Sequence, residues 1–390
     1  MKENNVKKFM KKLLTIILIF AIISISFTSC AIFKKSTSKN TLITQKNLTL
    51  SVLTIEGTTT VNTSTGEWDG VNILRTTPTR FTFVNNYITS QNNAGYMLQA
   101  GTDNLTNDGS FGNLDGEVIT GNYLNFTGSV LGENSGLVHG LMTCNMINCD
   151  VRYNKIKDVA GSFVIKGHGN TYTSGGYAYN IVKVGLVGAN ILGMNGVYVY
   201  NNTFYSNHPF YSSDNLGVWR GIINIYQNDQ NGSPIWGSTG TKIKNNIFYT
   251  VHQIPCISIH NSNCLSGFES DYNIFYCEAG EPYFQYLEDN IPFSEWQALG
   301  YDTHSIVINP NFNNFNDFVP AARLNYGTNL GTIWQIGLSI TATWVVNSPP
   351  ATVNQNGTWQ VGARIYDVSV PLINVSNVVQ FIVNKNSNKE

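Results

Sequence analysis

A parallel β-solenoid is the fold class predicted for this chain of 390 residues, and three observations predict it. Only 12% of residues are charged, against about 25% in ordinary globular domains. Gly, Asn, Ser, Thr and Tyr take their place, a composition that suits strands and turns better than surface helices. An apolar-x-apolar-x-Asn-x-apolar pattern recurs seven times along the chain. The asparagine in it is foreign to a strand interior and at home in a turn.

The first element is a targeting segment. Lys2, Lys7, Lys8, Lys11 and Lys12 precede the apolar run LLTIILIFAIISISF (13–27), and Thr28-Ser29-Cys30 follows. A basic start, a short apolar stretch and small residues before a cut describe a secretory signal. FTSC resembles the lipobox of bacterial lipoproteins, which implies Cys30 as the lipid-bearing residue and residues 31–45 as a tether. The chain is therefore expected outside the cytoplasm, held at the bacterial membrane of the cell envelope. The plainer alternative is an uncleaved anchor, for which the apolar run is marginal in length.

The repeats come next. They are FTFVNNYIT (81–89), EVITGNYLN (117–125), CDVRYNKIK (149–157), YAYNIVK (177–183), VYVYNNTFY (197–205), TKIKNNIFY (241–249) and SDYNIFY (270–276). Their aligned asparagines are Asn86, Asn122, Asn154, Asn180, Asn202, Asn246 and Asn273. Each pair is separated by one coil of a solenoid with loops of varying length inserted. An asparagine at an inward corner tolerates the left-handed conformation, and its amide can donate and accept along the stack. The longest gap, from Asn202 to Asn246, fits one coil with a long loop, because QNDQNGSPIWGSTGT (227–241) is insertion-like.

With these rungs in hand, residues 48–315 resemble the pectate-lyase-like right-handed parallel β-helix proteins, whose coils carry such asparagine ladders. The resemblance implies a right-handed parallel β-helix over 46–315 and a C-terminal cap and tail over 316–390. FSEWQALGYDTHSIVINPNF (293–312) and NGTWQVGARIY (356–366) resemble the closing segments of secreted β-helix proteins. A solenoid end exposes unpaired edges and core, so a cap is physically required. A short helix is expected from Ser294, and Trp296, Trp344 and Trp359 are expected to pack the cap.

Composition limits the function. A net charge of −1 with no basic cluster after residue 35 gives no reason to expect nucleic acid. Cys144, Cys149, Cys256, Cys264 and Cys277 remain beyond Cys30, an odd number, and buried thiols are expected over disulfides. No Cys/His spacing resembles a metal site, so no metal ligand is assigned. Calcium is left open: Asp150, Asp158 and Asp214 sit near coil turns, but nothing in their spacing requires an ion.

A second column of residues suggests where chemistry sits. YMLQA (96–100), GLVHG (136–140), FVIKG (163–167), GLVGA (185–189), INIYQ (223–227) and ISIHN (257–261) align as another strand. Their fourth positions are Gln99, His139, Lys166, Gly188, Tyr226 and His260. Strands about 4.8 Å apart are expected to bring His139 beside Lys166, with Gly188 leaving a gap for a ligand. His168 lies close by in sequence, as do Trp219 and Arg220; Trp219 and Trp236 are candidates for stacking on sugars.

This column points to a polysaccharide as partner, bound or cleaved. Lyases on the resembled scaffold remove a proton beside a uronate carboxylate and expel the neighbouring sugar. That chemistry calls for a base of lowered pKa. Lys166 would serve as base with His139 tuning it, Tyr226 as proton donor and Arg220 as clamp, while Gln99, His168, Trp219 and His260 line the groove. IKGHGNTYT is similar to the lysine-bearing segment of chondroitinase B and alginate-lyase-type β-helices. Thr173 and GLVGA stand where those enzymes carry basic residues. Glycoside hydrolysis lacks its carboxylates here, although Gly167-His168-Gly169 resembles a polygalacturonase signature. A non-catalytic glycan-binding or adhesive protein is the alternative, and a plain structural column the blandest one.

Overall fold

Alternating apolar residues broken every coil by an asparagine give three strands per turn of chain. The computed structural model describes residues 43–45, 48–50, 53–55, 59–64, 70–75, 81–90, 95–100, 114–126, 138–169, 174–207, 221–228, 235–287, 289–345 and 348–367. Cys30, Asp214, Trp219 and Arg220 lie outside them.

The architecture is a parallel β-helix with three faces. Sheet 1 stacks the strands that lead into the asparagines, from Phe81–Val84 through Met146–Arg152 and Tyr198–Tyr200 to Glu269–Asp271. Sheet 2 stacks the strands that leave them, from Tyr87–Ser90 through Thr203–Ser206 to Ile274–Cys277. Sheet 3 closes each coil and runs from Gly95–Ala100 through Val138–Cys144, Ile223–Tyr226 and Pro255–Ile259 to Tyr283–Tyr286. Two twelve-residue strands, Lys155–Lys166 and Ile181–Leu192, pass unbroken from sheet 2 into sheet 3. Parallel pairing places like residues over like, so Phe204, Phe248 and Phe275 stack inside at 5.4 and 5.0 Å.

All seven predicted asparagines form one ladder. Each amide nitrogen donates to the carbonyl oxygen of the next asparagine, at 2.9 to 3.1 Å, from Asn86 to Asn273. Each oxygen also accepts the backbone N–H of the asparagine before it. Asn202 bonds directly to Asn246, so the longest gap is a single coil with an inserted loop. Asp302 terminates the ladder: its carboxylate accepts from Asn273 Nδ2 and Trp296 Nε1, both at 2.8 Å.

The left-handed residue is not the ladder asparagine but the one before it. Asn85, Gly121, Tyr153, Tyr179, Asn201, Asn245 and Tyr272 have φ between 52° and 68°. A corner needs one residue that reverses the chain and another whose amide points inward; the Asn-Asn pairs supply both. Tyrosine in this conformation costs about 1–3 kcal/mol, and the chain offsets it from outside. Tyr153 Oη donates to Ile336 O at 2.8 Å and Tyr179 Oη to Trp334 O at 2.5 Å.

Both ends of the coil stack are covered. At the N-terminal end Ile43–Gln45, Leu48–Leu50 and Leu53–Ile55 pair antiparallel, which draws the end of the expected tether into a sheet. At the other end the strand Asp289–Pro292 turns back on Tyr283–Tyr286, and helix α1 (Phe293–Ala298) begins one residue before Ser294. Trp296 is fully buried there, 4.7 Å from Phe284. The rest of the cap is a flank rather than a lid. Trp344 Nε1 donates to Tyr153 O, and Asn201 and Asn245 bind Gln360 O and Thr328 O. Lys155 pairs with Asp317 at 2.8 Å. Trp359 is buried in the same flank.

The five described cysteines are buried thiols outside any disulfide, which matches their expected use as small apolar residues.

Asn180 makes four ladder bonds, two through each end of its amide. Asn180→Ala orphans Val151 O, Asn154 and Asn202 at once, each costing about 1–3 kcal/mol. A loss of about 4 kcal/mol is expected in urea unfolding. A change below 1 kcal/mol, by the same measurement, would mean that strand pairing alone holds the corner.

Candidate functional site

The outward face of sheet 3 carries two columns of side chains. Strand pairing sets Cys144, Lys166, Leu192 and Tyr226 in the first. His260 continues it, because its N–H donates to Ile225 O and its ring stacks on that of Tyr226 at 4.0 Å, nearly parallel to it. The second column runs Gln99, Met142, Val164, Asn190, Asn224, Ser258 and Gln285. Its rungs at Met142 and Val164 are apolar, and both cluster with Cys144 and Leu192 of the first column. Beyond them the face turns polar.

The structure therefore brings Lys166, Tyr226 and His260 onto one line and separates the others. Gln99 belongs to the second column. His139 pairs with Gly161, at the far end of its strand from the position that lies beside Lys166. A Cβ on Gly161 would lie 2.4 Å from His139 Nδ1, so the imidazole fills the space over that glycine. Burial lowers the His139 pKa to about 4, which keeps the ring neutral near pH 7. The expected tuning of Lys166 by a neighbouring His139 charge is thus corrected on both position and charge.

Gly188 leaves no gap. A Cβ there would meet Phe204 Cδ1 at 2.6 Å and Ile222 O at 2.9 Å, and Leu192 occupies its expected place in the column. Turn length explains both errors. Cys144 and Leu192 each stand ten residues before their ladder asparagines, whereas Lys166 stands fourteen before its own. Counting back a constant distance lands on the wrong residue wherever the turn after sheet 3 is short.

His168 has passed the strand end. Its Nδ1 lies 2.9 Å from Asn145 Oδ1, and its ring meets Trp236 edge-on at 5.0 Å. Trp236 is half-buried and rests against Gly169, where a Cβ would come within 2.5 Å of the indole. Trp219 and Arg220 fall outside the described residues. Of the aspartates considered for calcium, Asp150 pairs with Arg152 and Asp158 with Lys183. Among the described residues no three His, Cys, Asp or Glu side chains converge as metal ligands.

Sequence reasoning missed Asn190, Asn224 and Ser258, all buried on the outward face. Asn224 Nδ2 donates to Asn190 Oδ1 at 3.0 Å and to Gly221 O at 2.9 Å. Its Oδ1 accepts from Gly221 N at 2.8 Å and lies 3.3 Å from His260 Nε2. Asn224 thereby pins the loop entering its strand and orients the histidine. The signal was present in INIY and ISIH, where a polar residue sits two places before Tyr226 and His260. Chemically, the face holds buried amides bonded to one another and to the loop that enters the strand, a pair of stacked rings and one buried lysine at the strand end.

No family model, curated protein or solved structure matches the chain. The class that the coordinates define is the parallel β-helix.

His139 makes the stability pH-dependent. In the unfolded chain it titrates near its ordinary 6.5, in the folded one near 4. Between those values the unfolded state binds more protons, so stability rises with pH across that window and is lost on acidification. His139→Gln should flatten the slope, removing up to about 3 kcal/mol of the difference between pH 7 and pH 4. Urea unfolding at both pH values checks this; an unchanged slope would show that the ring protonates freely in the fold.

Proposed function

We propose that this chain is an envelope-anchored β-helix protein that binds a polysaccharide on the outer face of sheet 3. The stack of Tyr226 on His260 carries the reading. The coil does not demand those rings, since Cys144 and Leu192 fill the same column elsewhere. Flat rings beside hydrogen-bonding amides are how proteins hold sugars, whose faces are apolar and whose edges are hydroxyls. The anchor rests on the basic and apolar N-terminal segment ending in Cys30. The seven-rung ladder supports kinship with the pectate-lyase-like β-helices, and that scaffold hosts binding and catalysis alike.

Binding is favoured over cleavage. The elimination reading needs a tuned base, and His139 is not beside Lys166. Leu192 also separates Lys166 from Tyr226, which puts two strand spacings, on the order of 10 Å, between base and donor. Their shared column is the observation that keeps uronate elimination as a second reading.

The test is retention of the full chain, kept in detergent, in gels containing plant, algal or animal polysaccharides, together with the ultraviolet absorbance of unsaturated uronates. Retention without absorbance change is expected. A rise in absorbance abolished by Lys166→Ala would make the protein a lyase instead. Passage through every gel without delay or cleavage would remove the glycan reading.

A further inference from the structure

The turns that follow sheet 3 form a rim beside the proposed binding face. In the turns that follow Lys166, Leu192, Tyr226 and Ile259 the described residues are 167–169, 193–197, 227–228, 235–241 and 260–268, and none of these is Asp, Glu, Lys or Arg. The other faces differ. Sheet 1 sets Lys242 and Lys244 on Glu269, and sheet 2 sets Lys183 on Asp158 and Lys155 on Asp317. Among their described residues these turns thus lack the charged pairs that the other two faces carry.

In place of charges the rim holds side-chain amides around an indole. Asn263 Nδ2 donates to Gln227 Oε1 at 3.1 Å, which leaves the Gln227 amide nitrogen as a donor. Asn261 Oδ1 accepts the Gln227 N–H at 3.0 Å. Gly237 packs directly on Asn263, so close that a Cβ would lie 3.1 Å from its amide carbon. Trp236, next along the chain, is locked to Asn228 by two backbone bonds of 2.7 and 3.1 Å. Asn195 ties the same turns together through Gly169 O and Thr239. Trp236, Gln227 and Asn263 thus share one rigid surface.

From this we infer that the polymer is built of neutral sugars and that Trp236, Gln227 and Asn263 bind it. The inference rests on the glycan reading above and narrows it. An amide both donates and accepts, which matches a sugar hydroxyl, and an indole matches the C–H face of a pyranose. A uronate carboxylate instead calls for charge-assisted donors. Setting it against amides and an indole strips its water without returning a counter-charge. Lys166 is only 5% exposed and does not supply one at the rim.

The experiment compares the full chain in gels of neutral polymers (a β-glucan, a xylan, a mannan) and acidic ones (polygalacturonate, alginate, hyaluronan), at low and high salt. Retention on a neutral polymer, unchanged by salt, is expected. Trp236→Ala should weaken it about tenfold or more, as central aromatic contacts do. Trp236 also packs on His168, so Asn263→Ala, at an exposed position, serves as the second variant and should weaken retention several-fold with an unchanged melting temperature. Retention on acidic polymers alone, screened by salt, would overturn the neutral-sugar inference and leave glycan binding standing. Retention on a neutral polymer that both variants keep in full would overturn the assignment to this rim. Retention on neither class would overturn the inference together with the reading beneath it.

Discussion

Each coil has to turn inward at the same point while carrying a polar amide into a dry interior, and the rest of the molecule depends on how that amide is satisfied. A side-chain amide buried alone would cost several kcal/mol. Stacked with its equivalents, it gives both hydrogens and accepts two, so each rung satisfies the next. At the far end Asp302 supplies the acceptor. The donors all point toward it, so a carboxylate stands where the aligned amide dipoles end positive, as at a helix N-terminus. Burial pushes the Asp302 pKa up, while bonds from Ser270, Ser305, Trp296 and Asn273 hold it down. The helical cap is fastened to the same carboxylate through Trp296.

The same corner organises the outside. Because the residue before each ladder asparagine is left-handed, its side chain leaves the coil at a fixed angle, rung after rung. Glycine would adopt that shape with less strain, yet three rungs use tyrosine and three use asparagine. Four of them, Tyr153, Tyr179, Asn201 and Asn245, reach backbone oxygens of Ile336, Trp334, Gln360 and Thr328, and those bonds hold the C-terminal flank against the helix. Strain in the coil and anchorage of the flank are two sides of one arrangement. The tyrosines of VYVY and its relatives are thus packing residues for the flank, with Tyr198 and Tyr200 flat against each other under Trp334.

What was legible in the sequence follows from this physics. The ladder could be seen because a buried amide allows few substitutes, and Asn86 to Asn273 were all found by pattern. The left-handed position was misassigned by one residue, since asparagine suits both roles and only Gly121, Tyr153, Tyr179 and Tyr272 separate them. Sheet 3 was harder. Its register relative to the asparagines crosses a turn of changing length, so Lys166, Tyr226 and His260 were aligned correctly and Gln99, His139 and Gly188 were not. Nothing in VHGLMTC says that its strand begins near His139 rather than ending there. That is settled by the neighbouring strand, through the pairing of His139 with Gly161.

A parallel β-helix divides its labour by face. Inward positions must be apolar or laddered, and sheets 1 and 2 share the corner to which the flank is bonded. Sheet 3 lies away from that corner and keeps a freedom of composition that the other faces lack. Its outward column changes from Lys166 and Leu192 to Tyr226 and His260 while the inward column stays Ile165, Ile191, Ile225 and Ile259. The constant column is what folding requires. The change beside it occurs where the two long sequence insertions, 207–222 and 227–241, flank one strand, and no requirement of the coil accounts for it. Function on such a scaffold is therefore sought where the outer column departs from its own repeat, and here that departure adjoins the turns that carry Trp236.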